Sequence, residues 1–333
     1  MDAIVLVGGL GTRLRPLTNT RHKSLVPVCN RPFVEYLLDW LRAAKFERCV
    51  LALGQGNEDL AAAYPAGDLN GLEIVVVKEQ SRLESGGGIR NAVHEAGVSG
   101  RFTVLNGDVF VQFDFAPMLA SHRSKAARLS IALYPVANPE GYGVAAVSEA
   151  GLITEFVEKP PPGTEPSNLI NAGVWTFEAD VLAELPPGAV RVEDTLFPDL
   201  VRSGGPVAAY VADGIWADIG TPQRYLDLNT ALIAERGESA IASPSHISPA
   251  ATISGSSIGA RCRVDARATV RDSILWEGVW VGAGASVSRS AIADGVLVGD
   301  GAIIDGAVIG AGATISAGSR LLPGTRIDNA QTV

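Results

Sequence analysis

With 333 residues and 47% hydrophobic content, the chain can bury a full core and is long enough for two domains. Its formal net charge of −9 excludes an extended nucleic-acid-binding surface, so any phosphate recognition is confined to a pocket. No apolar run approaches the length of a membrane span, and Cys29, Cys49 and Cys262 sit at no metal-ligand spacing, which reads as buried thiols in a reducing cytoplasm.

The first apolar run, Ile4 to Val7, has no basic region before it and breaks at Gly8 and Gly9, so it reads as a buried strand and not as a signal peptide. Gly11 follows, and the three glycines let the backbone turn sharply with its N–H groups forward. Arg13, Arg15 and Lys23 come next. A loop of amide donors followed by three positive charges suits a polyphosphate.

Residues 1 to about 230 alternate short apolar runs with amphipathic stretches, the pattern of an α/β domain on a mainly parallel sheet. Strands are expected at Ala3–Val7, Cys49–Leu53, Glu73–Val77, Phe102–Leu105, Leu129–Tyr134, Val144–Val147, Ile153–Val157 and Ile170–Phe177. A helix should start with Pro32 in its first turn and bury Phe33, Leu37, Trp40 and Leu41. A last helix, Thr221 to about Arg236, is capped by Thr221 with Pro222 behind it.

After Gly237 an aliphatic residue recurs every five or six positions: Ile247, Ile253, Ile258, Val264, Val270, then Val281, Val287, Ile292, Val298, Ile304, Ile309, Ile315 and Leu321. This is the hexapeptide period of a left-handed parallel β-helix, since a Gly/Ser-rich linker does not keep aliphatic register over about eighty residues. The gap from Arg271 to Trp280, which holds Trp276 and Trp280, is expected to bulge from one coil. The domains are therefore expected at 1–236 and 237–333.

The signature G-x-G-T-R-x-x-P-L-T stands here as Gly9, Gly11, Thr12, Arg13, Pro16, Leu17 and Thr18. A dinucleotide-binding loop would need glycine where Leu14 stands, and a P-loop would need Gly-Lys-Ser/Thr, which does not occur in it. On this signature, the FVEKP segment Phe156–Pro160, INAGVW at Ile170–Trp175 and the β-helix, the chain resembles the sugar-1-phosphate nucleotidyltransferase family. Among its members it is most similar to mannose-1-phosphate guanylyltransferases. The resemblance covers essentially the whole chain and implies a Rossmann-like catalytic domain followed by the β-helix.

Such an enzyme holds two anions together while a sugar-phosphate oxygen attacks the α-phosphorus of an NTP. Each pair of like charges repels by about 4 kcal/mol at about 4 Å and an effective dielectric of about 20, so cations are needed. The resemblance implies that Arg13 meets the triphosphate and Lys23 the α-phosphate region; the lysine lacks the prolines that usually flank it, standing between His22 and Ser24. It places Leu6, Gly8, Gly9, Gly11, Thr12, Glu84 and Gly87 on the nucleotide. Asp108 follows a strand at the carboxyl end of the sheet, where ligands bind in open α/β folds, and its hard carboxylate suits Mg²⁺. Asp218 resembles the second metal carboxylate.

For the sugar phosphate, the resemblance implies Asn106, Gly143, Glu158, Lys159, Asn171 and Gly173. The base is less constrained. Leu83–Gly88 reads LESGGG, a form shared with uridylyltransferases that typically lack a β-helix, so guanine ranks first and another base stays open, as do glucose, heptose, N-acetylated sugar or cyclitol phosphates. A catalytically silent nucleotide-sugar sensor is the reading from another class. His94 and His122 read as helix-surface residues, Asp114 and Asp213 as structural. His246 lies at the first coil, and no histidine follows to serve as base for acyl transfer. The β-helix has flat faces and an open end to cover, which favours a homo-oligomer, dimer or higher.

Overall fold

The computed structural model describes residues 1–9 and 11–333; Leu10, the variable position of the glycine signature, lies outside the described residues. The chain forms two compact units, Met1–Gly9 with Tyr36–Trp216, and Leu10–Glu35 with Ala217–Val333.

The first unit is built on a ten-stranded mixed sheet. β1 (Asp2–Val7) lies inside it, flanked in parallel by β2 (Arg48–Leu53) and β5 (Arg101–Asn106). Beyond β2 come β4 (Leu72–Lys78), parallel, and the short antiparallel edge β3 (Gly67–Leu69). On the other side β9 (Leu169–Glu178) runs antiparallel to β5, followed by β7 (Gly143–Val147) and β8 (Ile153–Glu158). β6 (Leu129–Pro135) also pairs with β9, and β10 (Val207–Val211) with β6. The expected mainly parallel mixed sheet is thus present. Ala3, Ile4, Val5, Val50 and Leu51 are buried, as apolar runs covered on both faces require.

Helix Glu84–Ala96 packs across β1, β2 and β4, and rings from β5 and β9 stack at Phe102 and Phe177, 5.4 Å apart. The helix Phe33–Ala43 starts one residue after Pro32, which pairs with Pro27 in a two-residue strand, so the proline precedes the helix.

His122 departs from expectation. In helix Phe115–Ser124 it lies one turn from Met118, on the face that packs inward, and both are fully buried. Its Nδ1 is 2.7 Å from Ser130 Oγ and its Nε2 3.1 Å from Glu178 Oε1, which also accepts from Arg101. Burial lowers the His122 pKa, against the opposing pull of the Glu178 carboxylate. His94 is exposed on its helix, as expected, and Asp114 caps helix Phe115–Ser124 by accepting from the Ala116 amide.

In the second unit the helix Pro222–Arg236 begins at Thr221, whose Oγ1 accepts from the Arg224 amide, and ends at left-handed Gly237. Three parallel sheets of six, five and five short strands then form the faces of the β-helix. Partners such as Ala240 and Ser257, or Ser257 and Ile274, are 17 positions apart, so a coil is two steps of six and one of five. The inward Ile258, Val264, Val270, Val281, Val287 and Ile292 are buried together. Buried serines close the corners: Ser256, Ser273 and Ser290 each accept, on Oγ, an amide of the next coil, from Ser273, Ser290 and Ala307 respectively.

The expected bulge between Arg271 and Trp280 is absent. Strand Ile274–Leu275 pairs in register with Ser257–Ile258 and Ala291–Ile292, and fully buried Leu275 fills the inward position. The five-residue step put the aliphatic at 275, beside an indole that masked it. Trp276 is buried, whereas Trp280 is 42% exposed under Arg263.

Candidate active site

The first unit holds Leu6, Gly8, Gly9, Glu84, Gly87, Asn106, Asp108, Gly143, Glu158, Lys159, Asn171 and Gly173; the second holds Gly11, Thr12, Arg13, Lys23 and Asp218. Among the described residues no group of three or more His, Cys, Asp or Glu side chains is arranged to hold a metal ion.

Close backbone approaches shape the carboxyl ends of β1 and β5. A Cβ on Gly54 would stand 2.8 Å from the Gly8 Cα, and one on Gly107 would stand 2.3 Å from Val7 Cγ1 and 2.7 Å from the Leu6 carbonyl. The Gly107 amide donates to that carbonyl at 2.8 Å, and the buried Asn57 side chain donates to the Val7 carbonyl at 2.6 Å. Gly107 thereby sets the backbone of Asp108 against the end of β1. Gly54, Asn57 and Gly107 were not legible as site-forming residues, because each acts on a partner about 50 or 100 positions away.

The glycine run of LESGGG has a packing cause. Gly86 and Gly87 both donate to the Val190 carbonyl, and Cβ atoms there would meet Val190 and Gly188 oxygens at 2.9 and 2.8 Å. A Cβ on Gly88 would stand 2.7 Å from Glu79 Oε1 and 3.9 Å from Leu6 Cδ2, so Glu79, Gly88 and Leu6 converge. Glu79 Oε2 accepts from the Leu83 amide, and burial raises its pKa. Glu84 opens its helix at φ 59° and pairs with Arg82 at 2.8 Å. Sequence reasoning passed over Glu79, whose only local sign was an acidic residue at a strand end.

The sugar-phosphate candidates lie on neighbouring strands, and a Cβ on Gly143 would stand 3.6 Å from Asn171 Cβ. Gly143 and Glu158 are cross-strand partners, and Glu158 Oε2 lies 2.6 Å from where a Gly143 Cβ would be. Glu158 Oε1 accepts from Arg191 Nη2 at 2.8 Å and lies 3.3 Å from Lys159 Nζ, which is 56% exposed. Arg191 also reaches Asp194 at 3.2 Å and Glu193 at 3.9 Å. Glu193 accepts from Ser85 Oγ, and burial raises its pKa. Arg191, 33 positions from Glu158, is a further residue that sequence reasoning missed. Beside them, a Cβ on left-handed Gly173 would stand 2.9 Å from Asn106 Nδ2, and Asn171 Oδ1 accepts from the Gly173 amide at 3.0 Å and from Trp175 Nε1 at 2.7 Å.

In the second unit Gly11 adopts φ 60°, and a Cβ there would stand 3.1 Å from Lys23 Cβ and Thr18 Cγ2. Thr18 Oγ1 donates to the Gly11 carbonyl at 2.8 Å. The loop is thus folded on itself, bringing Gly11 and Lys23 together, with Lys23 buried and Arg13 exposed. Asp218 is held on both oxygens, by the Gly220 amide at 2.8 Å and by Arg224 at 2.6 Å. A Cβ on Gly220 would meet Asp218 Oδ1 at 2.5 Å and Arg13 Nη2 at 2.9 Å, so Arg13 lies beside the Asp218 turn.

Residues 2–235 match the nucleotidyl transferase family, and residues 229–328 match a GlmU-like, C-terminal hexapeptide family. The chain is 35% identical to a mannose-1-phosphate guanylyltransferase of Mycobacterium tuberculosis, over 84% of this chain and 80% of that protein. It is 32% identical to mannose-1-phosphate guanylyltransferase 1 of Arabidopsis thaliana, over 83% and 74%. A low-salt glycan biosynthesis nucleotidyltransferase of Haloferax volcanii is 29% identical over 71% and 67%.

Proposed function

Because this chain belongs to the nucleotidyl transferase family, we propose that it transfers GMP from GTP to mannose 1-phosphate, yielding GDP-mannose and pyrophosphate. The observation that carries the reading is the Gly11–Lys23 loop, whose left-handed glycine seats against both Lys23 and Thr18 while Arg13 is exposed beside Asp218. A phosphate oxygen of the sugar phosphate attacks the α-phosphorus, and the bond from that phosphorus to the bridging oxygen breaks as pyrophosphate leaves. Arg13 neutralises the triphosphate and the leaving pyrophosphate. Lys23 does the same for the α-phosphate.

Glu158 accepts from sugar hydroxyls, with Arg191 fixing its carboxylate, and Lys159 meets the sugar phosphate. Asn106, Asn171 and Gly173 complete that subsite, while Leu6, Gly8, Gly9, Gly11, Thr12, Glu84 and Gly87 line the nucleotide. Glu79 reads the base: guanine offers a carboxylate both a ring N–H and an amino group, where uracil offers one ring N–H. Asp108 and Asp218 each supply a hard carboxylate of the kind Mg²⁺ takes, and an ion that keeps waters and substrate oxygens needs only one or two protein carboxylates. When bound, Mg²⁺ would offset the negative charge of the phosphates. Residues 1–236 would form the catalytic domain and 237–333 the β-helix domain of a cytoplasmic homo-oligomer. The three cysteines are unbridged and buried, and no described helix is long and apolar enough to cross a membrane.

Pyrophosphate release should be measured over a panel of NTPs and sugar 1-phosphates. We expect GTP with mannose 1-phosphate to be preferred, chelation of divalent ions to stop turnover, Mg²⁺ to restore it and Asp108→Ala to abolish it. Glu79→Gln should lower kcat/KM for GTP roughly tenfold and for UTP less. A wild type that releases no pyrophosphate with any pair yet binds GDP-mannose would be a sensor and not an enzyme.

A further inference from the structure

The segment Leu10–Glu35 belongs to the same compact unit as the β-helix, and its fastenings are spread along the coils. Asn30 donates to the Ala240 and Ile258 carbonyls at 3.0 and 2.9 Å and accepts from Ser257 Oγ at 2.9 Å. Trp276 donates to the Tyr225 hydroxyl, which donates to the Pro27 carbonyl. Arg21 lies 4.8 Å over the Trp276 ring and pairs with Asp294 at 2.9 Å. In the final strand of the six-stranded face, Arg326 Nη1 donates to the Arg15 carbonyl at 2.6 Å and to the Arg13 carbonyl at 3.3 Å.

The last of these contacts bears on the phosphate loop itself. Thr12–Leu14 is a single 3₁₀ turn, closed by Leu14 N–H to the Gly11 carbonyl and Arg15 N–H to the Thr12 carbonyl. A turn this short has little stability of its own, and those two bonds use neither the Arg13 nor the Arg15 carbonyl. Arg326 takes both, gripping the backbone on either side of Leu14 with one charge-assisted donor. Leu14 is fully buried, so the turn is held from inside by its apolar side chain and from outside by the guanidinium. Arg326 is held in turn by a coil whose neighbouring Ile327 packs into the β-helix core.

We propose that Arg326 is a positioning residue for Arg13: the end of the β-helix fixes the direction of the phosphate-binding arginine and so sets affinity for the nucleotide triphosphate. This rests on the reading that Arg13 meets the triphosphate, and it assigns the last coil a part in substrate binding. Without Arg326 the turn samples other backbone conformations, and ordering it again is charged against NTP binding.

The test compares full-length wild type, Arg326→Ala, Arg326→Lys and, as control, Arg320→Ala, an exposed arginine of the preceding strand. GTP binding is measured without sugar phosphate, alongside steady-state kinetics and thermal unfolding. Arg326→Ala should weaken GTP binding and raise its KM roughly tenfold, leave the KM for sugar phosphate unchanged, and move Tm by less than about 2 °C. Arg326→Lys should recover part of the loss, and Arg320→Ala should match wild type. Unchanged GTP affinity in Arg326→Ala overturns the proposal, as does a loss that tracks a falling Tm and a rising KM for sugar phosphate, which marks a merely structural contact. A wild type that binds no NTP overturns the reading of the loop itself, whereas one that binds with Arg326→Ala indistinguishable from it overturns only the positioning role.

Discussion

Glu158 Oε2 stands 2.6 Å from the point where a Cβ on Gly143 would sit, because the two residues face each other across β7 and β8. Gly143 therefore keeps a space that the carboxylate needs while it accepts from Arg191. Gly143→Ala should push Glu158 off Arg191 and raise the KM for the sugar phosphate roughly tenfold, the cost of a charged hydrogen bond. The KM for NTP should move by less than about twofold on the same scale. Steady-state kinetics with each substrate varied in turn checks the split.

Tyr225 is buried between Trp276 Nε1 and the Pro27 carbonyl, and burial pushes its pKa far above the usual phenol range. Tyr225→Phe leaves a buried donor and a buried acceptor without their shared partner. The expected loss is about 1–3 kcal/mol of unfolding free energy, read from urea titration.

Leu275 and Trp280 separate core from surface within the β-helix. Leu275→Ala should cost about 2–5 kcal/mol, because the rigid coil closes poorly around the void. Trp280→Ala removes an exposed ring, its cation–π contact with Arg263 at 4.7 Å and a bond to Asp265, and should cost about 1 kcal/mol or less. Thermal unfolding of the two variants side by side distinguishes them; equal losses would mean that the register assigned to this coil is wrong.

His122 makes stability depend on pH. Burial holds its folded pKa below the unfolded value of about 6.5, so below that pH the unfolded chain takes up a proton that the folded chain resists. Stability is then complete above about pH 6.5 and falls as the pH drops toward the depressed folded value. Glu178 acts lower on the scale. Burial favours its protonated form, but the hydrogen bonds from Arg101 and His122 outweigh it and lower its pKa, so its contribution is lost on further acidification. His122→Gln should flatten the stability profile below about pH 6.5; a profile unchanged there would show that His122 does not control it.

The β-helix was legible because each coil repeats the same local problem: one inward aliphatic residue per short strand, five or six positions apart. The same regularity misled at Arg271–Trp280, where Leu275 kept the period but stood beside a tryptophan. The α/β alternation was legible for a similar reason, since strands covered on both faces read as continuous apolar runs. His122 was misread because a lone histidine in a mixed helix shows no sign of which face packs; Ser130 and Glu178, 8 and 56 positions away, decide it.

What the sequence determined alone was local in origin: the glycine turn with its cations, the Thr221 cap, the strand runs and the hexapeptide period. What only the tertiary structure decided was which distant groups meet. The loop Leu10–Glu35 joins the compact unit of the β-helix, Arg326 grips carbonyls 311 and 313 positions earlier, and Gly107 fits against Leu6 and Val7. Backbone propensity and hydrophobic period act over a few residues and leave a mark in the chain. A hydrogen bond closed across three hundred residues leaves none, because any exposed arginine would read the same until the coils set it in place.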